Sequence, residues 1–175
     1  MKNLLLLVTI LFSNLLFSPV SAQQPGLEVG NLAPEITLPS PSGEIIKLSS
    51  LKGKVVLIDF WATWCSPCIQ EQPVLARLYK KYKGAVFTNG NGFEIYGVSF
   101  DSKKSSWEEV VKKYKITWIQ VSDLKFWKSA AAQTYNVKEL PYNLLIDGNG
   151  IILAKNLHGD ELAKELESLV KKPGK

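Results

Sequence analysis

The chain has 175 residues, of which 46% are hydrophobic and 21% are charged, and its formal net charge is +5. This composition predicts one globular domain with a sizeable core, and it excludes bulk disorder, collagen-like repeats and a coiled coil. The lysines and arginines are spread along the chain instead of forming a basic run, which argues against a nucleic acid partner.

The N-terminal segment has the pattern of a cleaved signal peptide. Lys2 supplies the positive charge, residues 4–17 are mostly apolar, and the segment ends at Ala22 in small side chains that a signal peptidase accepts. The apolar run is shorter than the roughly 20 residues that cross a bilayer, so cleavage is favoured over a retained anchor. We therefore expect residues 1–22 to be removed and residues 23–175 to form a single soluble domain in the periplasm or another extracytoplasmic space, where thiols tend to be oxidised.

Several runs after the signal segment have the pattern of strands. Residues 23–30 come first and are typical of a flexible lead-in, because they are polar and rich in glycine and proline. The run at residues 55–61 is β-branched and apolar on both faces, which predicts a strand in the middle of a sheet. The other predicted strands, which include two hairpins, are residues 36–38, 44–47, 93–100, 116–121, 144–147 and 151–154.

Four segments have the periodicity of helices. The first, residues 65–82, follows the central strand directly and contains Pro73, at which we expect a kink. The others are residues 107–114, 126–135 and 160–170. Asp160 is the predicted N-cap of the last helix. Strands and helices alternate before a final hairpin and helix, which predicts an α/β fold whose sheet has a parallel part and an antiparallel edge.

The only two cysteines lie at the junction between the central strand and the first helix. Cys65 is placed at the helix N-terminus, where unpaired backbone N–H groups and the positive end of the helix dipole stabilise a thiolate. Cys68 follows within bridging distance but further inside the protein, so Cys65 can attack a disulfide and Cys68 can resolve the intermediate. Pro67, between them, presets a helical φ. Redox catalysis is the favoured function of this pair.

Other uses of two cysteines fit the sequence less well. A structural disulfide between these cysteines would close a very short loop, so it would reduce the conformational entropy of the unfolded chain by an amount worth only ~2 kcal/mol. A multi-bridge scaffold and a four-cysteine zinc site are excluded, and a zinc site built on the single histidine, His158, would need carboxylates. Covalent c-type haem requires a histidine directly after Cys68, where Ile69 stands. We expect neither a metal nor another cofactor, and we assign His158 to a loop without a role.

The segment around the cysteines resembles the active-site region of thioredoxin. Residues 56–73 read VLIDFWATWCSPCIQEQP, and the upstream GNLAPE at residues 30–35 and the downstream Leu140–Pro141 are similar to the exported TlpA/ResA-like branch of that superfamily. The resemblance covers nearly all of the chain after residue 22. It implies a thioredoxin-like fold, in which helices flank a central mixed sheet, with an added N-terminal β-hairpin and an inserted strand and helix.

The resemblance also assigns roles to residues of the site. Cys65 matches the attacking cysteine, Cys68 the resolving cysteine, and Pro141 the cis-proline that faces the disulfide. We expect substrate binding by residues around this centre: Trp64, Ser66, Pro67, Leu140 and Pro141. The backbone of Leu140 is free to pair with an extended client peptide, because Pro141 has no N–H to donate.

Two carboxyl groups are candidate bases for the resolving cysteine. Asp59 is a lone acid in an otherwise apolar strand, which is costly unless it has a partner or a role in proton transfer, and it matches the buried aspartate of thioredoxin. Glu71 shares a helix face with Cys68 and matches the glutamate of ResA-like proteins, the alternative being a solvated helix residue. Two potential proton acceptors favour a reductase over an oxidant.

The function implied by the resemblance is reduction or exchange of disulfides in envelope proteins, including apocytochromes during cytochrome c maturation. The expected partners are those proteins and an upstream membrane electron donor or acceptor, and the expected state is a monomer. A thiol peroxidase is one alternative, but peroxidases of the related fold have threonine and proline where this chain has Ala62 and Ile58. A non-catalytic binding module or chaperone is another, against which the intact cysteine pair argues.

Overall fold

The structure is a computed structural model that describes residues 25–172. The signal peptide predicted at residues 1–22 lies outside this range and stays a prediction. The lead-in predicted at residues 23–30 lies partly within this range. Its last residue is attached to the strand Ile152–Lys155, because the Gly30 N–H donates a hydrogen bond of 2.8 Å to the carbonyl of Ile152, the first residue of that strand. No helix of the described range is long and apolar enough to cross a membrane.

The described residues form nine strands and four α-helices. In chain order the strands are β1 (Thr37–Pro39), β2 (Ile45–Lys47), β3 (Val55–Trp61), β4 (Val86–Phe87), β5 (Gly90–Asn91), β6 (Phe93–Ser99), β7 (Ile119–Val121), β8 (Tyr142–Ile146) and β9 (Ile152–Lys155). The helices are α1 (Ser66–Tyr82), α2 (Lys104–Lys113), α3 (Ala130–Thr134) and α4 (Gly159–Leu169).

A mixed sheet of five strands, in the order β7-β6-β3-β8-β9, forms the centre of the fold. The central strand β3 pairs in parallel with β6 and antiparallel with β8, and β7 and β9 extend the parallel and antiparallel sides. All residues of β3 are buried, as expected for a strand that is apolar on both faces. The predicted central mixed sheet, with its parallel part and antiparallel edge, is confirmed.

The additions to this core also lie where the sequence predicts them. Strands β1 and β2 form the predicted N-terminal antiparallel hairpin. The hydroxyl of Tyr96, in β6, donates a hydrogen bond of 2.8 Å to the Ile46 carbonyl and so ties the hairpin to the central sheet. Between β6 and β8 the chain forms α2, β7 and α3, which include the expected inserted strand and helix.

Several predicted element boundaries are wrong, among them the start of α2, which is Lys104 instead of residue 107. The helix predicted at residues 126–135 is divided into a 3-10 turn, Phe126–Lys128, and α3, because Ser129 between them has an extended backbone with ψ of 136°. Phe126 itself has a left-handed φ of 55°, which no hydrophobic pattern reveals. The strand predicted at residues 116–121 begins only at Ile119. The last helix begins earlier than Asp160, because the His158 carbonyl already accepts the Glu161 N–H at 3.0 Å.

Candidate functional site

The site is built at the carboxyl end of β3, where the chain passes into α1. The connecting loop is held by Asp101, whose carboxylate accepts the Thr63 N–H at 3.1 Å and the Thr63 hydroxyl at 2.5 Å. The Ser99 hydroxyl donates to the same carboxylate at 2.7 Å. Asp101 therefore fixes the loop that leads to the cysteines. Asp101 was not among the predicted site residues, although its position directly after a predicted strand could have indicated it.

Cys65 and Cys68 form a disulfide, and their Cα atoms are 5.3 Å apart. Cys65 is the N-cap of α1, and its Sγ accepts a hydrogen bond of 3.2 Å from the Cys68 N–H. Pro67 lies in the first turn of the helix, as its fixed φ predicts. The Cys68 N–H is thus directed at the Cys65 sulfur, a geometry in which an N–H group can stabilise a thiolate.

The expected contrast in exposure between the two cysteines is small. Cys65 is 5% exposed and Cys68 is 2% exposed in the disulfide form. The two cysteines differ instead in their position relative to α1. Cys65 precedes the helix and faces its free N–H groups, whereas Cys68 lies inside the first turn. Trp64, Ser66 and Pro67 are exposed around them, so a client protein meets these side chains before it reaches the sulfurs.

Asp59 is a buried carboxyl group in the middle of the sheet. It lies on β3 between Gly97 of β6 and Asn143 of β8, and its side chain is almost inaccessible to solvent. Burial raises the pKa of Asp59 to about 8, and the negative charge of Glu71 adds to the increase. A group with this pKa gains and releases a proton near neutral pH, as a proton acceptor for a thiol must.

Glu71 is not a solvated helix residue. Its side chain is 12% exposed, and its two carboxylate oxygens lie 3.0 and 3.1 Å from Nδ1 of His158. The Gly159 N–H also points to this carboxylate, at 3.4 Å. His158 lies in the loop before α4, as predicted, but its contact with Glu71 was not predicted. The two residues are 87 positions apart, so no local pattern indicated the pair.

Within residues 25–172, no three side chains of His, Cys, Asp or Glu are grouped so that they could hold a metal ion. The Leu140–Pro141 peptide bond is cis, as predicted. Tyr142 is the register partner of Phe60, near the end of β3, and this pairing brings Pro141 to the end of the sheet that carries the cysteines.

Three aromatic side chains form a platform beside the disulfide. The ring centroid of Trp64 is 5.0 Å from that of Phe126 and 6.0 Å from that of Trp127. Trp64 and Phe126 are 47% and 41% exposed, whereas Trp127 packs edge-on against buried Phe100 at 5.3 Å. Trp127 thus packs against the core and also supports two exposed rings. We call Trp64, Phe126 and Trp127 the aromatic platform. Phe126 was not among the predicted site residues.

Comparison with known proteins agrees with this geometry. The profile of the AhpC/TSA family matches residues 29–155, which is most of the chain. The chain belongs to the AhpC/TSA family. Among curated members of the superfamily, it is 33% identical over 153 residues to the thioredoxin-like protein YneN of Bacillus subtilis, covering 87% of this chain and 84% of that protein. It is 31% identical to the thiol-disulfide oxidoreductase ResA of Bacillus cereus, covering 90% and 85%.

Solved structures agree with this family assignment. The thioredoxin domain of a thiol-disulfide oxidoreductase from Bacteroides vulgatus matches it with a TM-score of 0.75 and 36% identity, over 83% of this chain and 100% of that domain. The predicted thioredoxin-like fold is therefore confirmed. Together with the relatives, the paired cysteines support a thiol-disulfide oxidoreductase function.

Proposed function

We propose that this chain reduces disulfides of other proteins in an extracytoplasmic compartment, with Cys65 as the attacking residue and Cys68 as the resolving residue. The observation that carries this proposal is the cysteine pair at the start of α1, in which the Cys65 Sγ accepts the Cys68 N–H. An identical contact to a Cys65 thiolate would stabilise its charge. Cys68 has no comparable position at the helix terminus.

The reaction has two exchange steps. The Cys65 thiolate attacks a client disulfide, a Cys65–client bond forms, and the second client sulfur leaves as a thiolate. Cys68 then loses its proton and attacks Cys65, which releases the first client sulfur and forms the Cys65–Cys68 disulfide. Two electrons pass from this chain to the client, so an upstream electron donor, which we place in the membrane, must restore the dithiol.

The direction of electron flow is tested by the reduction potential of the Cys65/Cys68 couple. We expect a value nearer thioredoxin's ~−270 mV than the ~−120 mV of a strong oxidant, because carboxyl groups such as Asp59 and Glu71 disfavour a neighbouring thiolate, so the reduced form is not specially stabilised. Equilibration with defined ratios of reduced and oxidised glutathione or dithiothreitol, read by thiol alkylation and mass, gives the potential. A value near ~−120 mV would make this protein an oxidant and reverse the proposed direction.

The clients that we propose are envelope proteins with accessible disulfides, and the oxidised Cys-x-x-Cys-His segment of an apocytochrome c is the first one to test. The signal peptide pattern at residues 1–22 supports an extracytoplasmic location. Pro141 has no N–H to donate, which leaves the Leu140 backbone to pair with an extended client segment, and Ser66 and Pro67 are exposed beside the cysteines.

We propose that the aromatic platform contacts apolar side chains next to the reacting cysteine of the client. Replacement Phe126→Ser is expected to raise KM for an oxidised client peptide about three- to tenfold, since partial burial of one aromatic ring contributes about 1 kcal/mol. The alkylation rate of Cys65 should not change. Val86→Ser is the matched control, because Val86 is also exposed but lies beyond the far end of α1. Equal KM values in the two variants would contradict this docking role.

A peroxidase function is not supported by the site. Ile58 and Ala62, which occupy the positions of the peroxidase proline and threonine, are fully buried apolar residues. The neighbouring Thr63 hydroxyl donates to Asp101. Neither position therefore offers a hydroxyl group to a peroxide at Cys65, and rapid consumption of hydroperoxide by the reduced protein would be evidence against the proposed function.

A further inference from the structure

A hydrogen-bonded pair joins the start of α4 to the helix that carries the cysteines. Both carboxylate oxygens of Glu71 lie about 3 Å from Nδ1 of His158. An ionised carboxylate only accepts hydrogen bonds, so Nδ1 carries the hydrogen and donates it. Glu71 is one helical turn after Cys68, and its charge acts on Asp59. His158 therefore contacts a carboxylate that neighbours the groups proposed to handle the proton of Cys68.

A neighbouring strand fixes the position of His158. Asn143, the register partner of Asp59, is buried, and its side chain clamps Leu157 from two sides. The Asn143 amide nitrogen donates to the Leu157 carbonyl at 2.7 Å, and its amide oxygen accepts the Leu157 N–H at 3.0 Å. The Asn143 carbonyl also accepts the Asn156 N–H at 2.8 Å. These contacts hold the turn before α4, so the strand beside Asp59 also places His158 against Glu71.

We propose that His158 is a positioning residue, which holds the Glu71 carboxylate in a fixed place on α1, one turn after Cys68. This inference rests on the proposed function in one respect, which is the role of Asp59 as the proton acceptor for Cys68. His158 makes no side-chain cap to α4, so its contact with Glu71 is not explained by helix capping. The Glu71 side of the contact is largely buried, with the side chain 12% exposed, whereas the His158 side chain is 36% exposed.

The charges around Glu71 determine the sign of the expected effect. The titratable groups near it are Asp59 from β3, Cys68 on α1 and His158 at the start of α4, while Asp160 and Glu161 follow in the first turn of α4. A negative charge held close to Asp59 raises the pKa of Asp59. Without the His158 hydrogen bond, the Glu71 carboxylate can rotate toward solvent. Its repulsion of Asp59 then weakens, and the pKa of Asp59 falls.

The test is an NMR titration of the Asp59 side-chain carboxyl carbon in ¹³C-labelled protein. In the original protein we expect a midpoint near pH 8. His158→Leu should lower it by about 0.5 to 1 pH unit, a fraction of the 1 to 3 units that a close charge produces. His158→Asn should keep the original midpoint, because its amide can donate from the place of Nδ1 without titrating. Glu71→Gln should lower the midpoint, and adding His158→Leu to it should lower it no further.

Other results would overturn the proposal. An unchanged midpoint in His158→Leu would mean that Glu71 keeps its position unaided, and a raised midpoint would mean that His158 only screens its charge. Additive shifts in the double variant would show that His158 acts on Asp59 independently of Glu71. The titration needs no turnover, so an inactive but folded protein would refute the proposed function and still leave the midpoints readable.

Discussion

Cys68→Ser is expected to trap client proteins as mixed disulfides and to abolish multiple turnover. In this variant Cys65 keeps its place before α1 and can still attack, but no thiol within reach can displace the client. The intermediate that is normally transient should therefore accumulate. The measurement is recovery of a tagged variant from the cell envelope under non-reducing conditions, with the partners released by reductant and identified by mass spectrometry.

Two control variants separate trapping from adventitious oxidation. Cys65→Ser keeps a thiol at position 68 but removes the attacking residue, so it should give few or no adducts. The double serine variant should give none. Adducts of equal yield on Cys65→Ser would contradict the assignment of the attacking cysteine. If Cys68→Ser yields no adducts although its Cys65 reacts with iodoacetamide, the binding-module alternative would gain support.

The sequence predicted the parts of the fold that depend on local patterns. Strand β3 has an apolar run with one acid in it, and that run alone indicated a central strand. Residue spacing placed the two cysteines at the start of α1, because a helix N-terminus and a three-residue interval are local properties. Asp59 was conspicuous for a similar reason, since a carboxyl group in an apolar strand carries a large desolvation cost.

The parts that the sequence did not predict depend on contacts between distant segments. The pairing of Glu71 with His158 requires the turn before α4 to lie over α1, and the Asn143 contacts that arrange this are formed only in the folded sheet. The ring of Phe126 packs against that of Trp64, and the backbone of Phe126 is left-handed. The hydrophobic pattern of this segment resembles that of a helix. Hydrophobic periodicity carries no information about either feature.

Asp59→Asn is expected to slow the resolving step about ten- to a hundredfold at pH 8 and to remove the pH dependence associated with this group. Burial raises the pKa of Asp59 to about 8, so the group is mostly protonated below that pH and ionised above it. Only the ionised form can accept the proton of Cys68. The rate of resolution should therefore rise with pH up to about 8 and then level off, and this limb should be absent in the asparagine variant.

The rate is measured by stopped-flow fluorescence of Trp64, next to Cys65, and of Trp61, at the end of β3, after the reduced protein is mixed with a model disulfide. Glu94→Gln is a matched control, because Glu94 is also a buried carboxyl group of the sheet. Its register partner is Val56, three positions along β3 from Asp59 and thus about 10 Å away. The Glu94 carboxylate accepts a hydrogen bond from the Tyr79 hydroxyl and forms a salt bridge with Lys54.

The two variants distinguish loss of the base from damage to the fold. If removing any buried carboxylate slowed the reaction by disturbing the fold, both variants would be slow. If Asp59 is the base, only Asp59→Asn should lose the limb near pH 8. A limb that persists in Asp59→Asn would assign the proton to another group, with Glu71 the first to test.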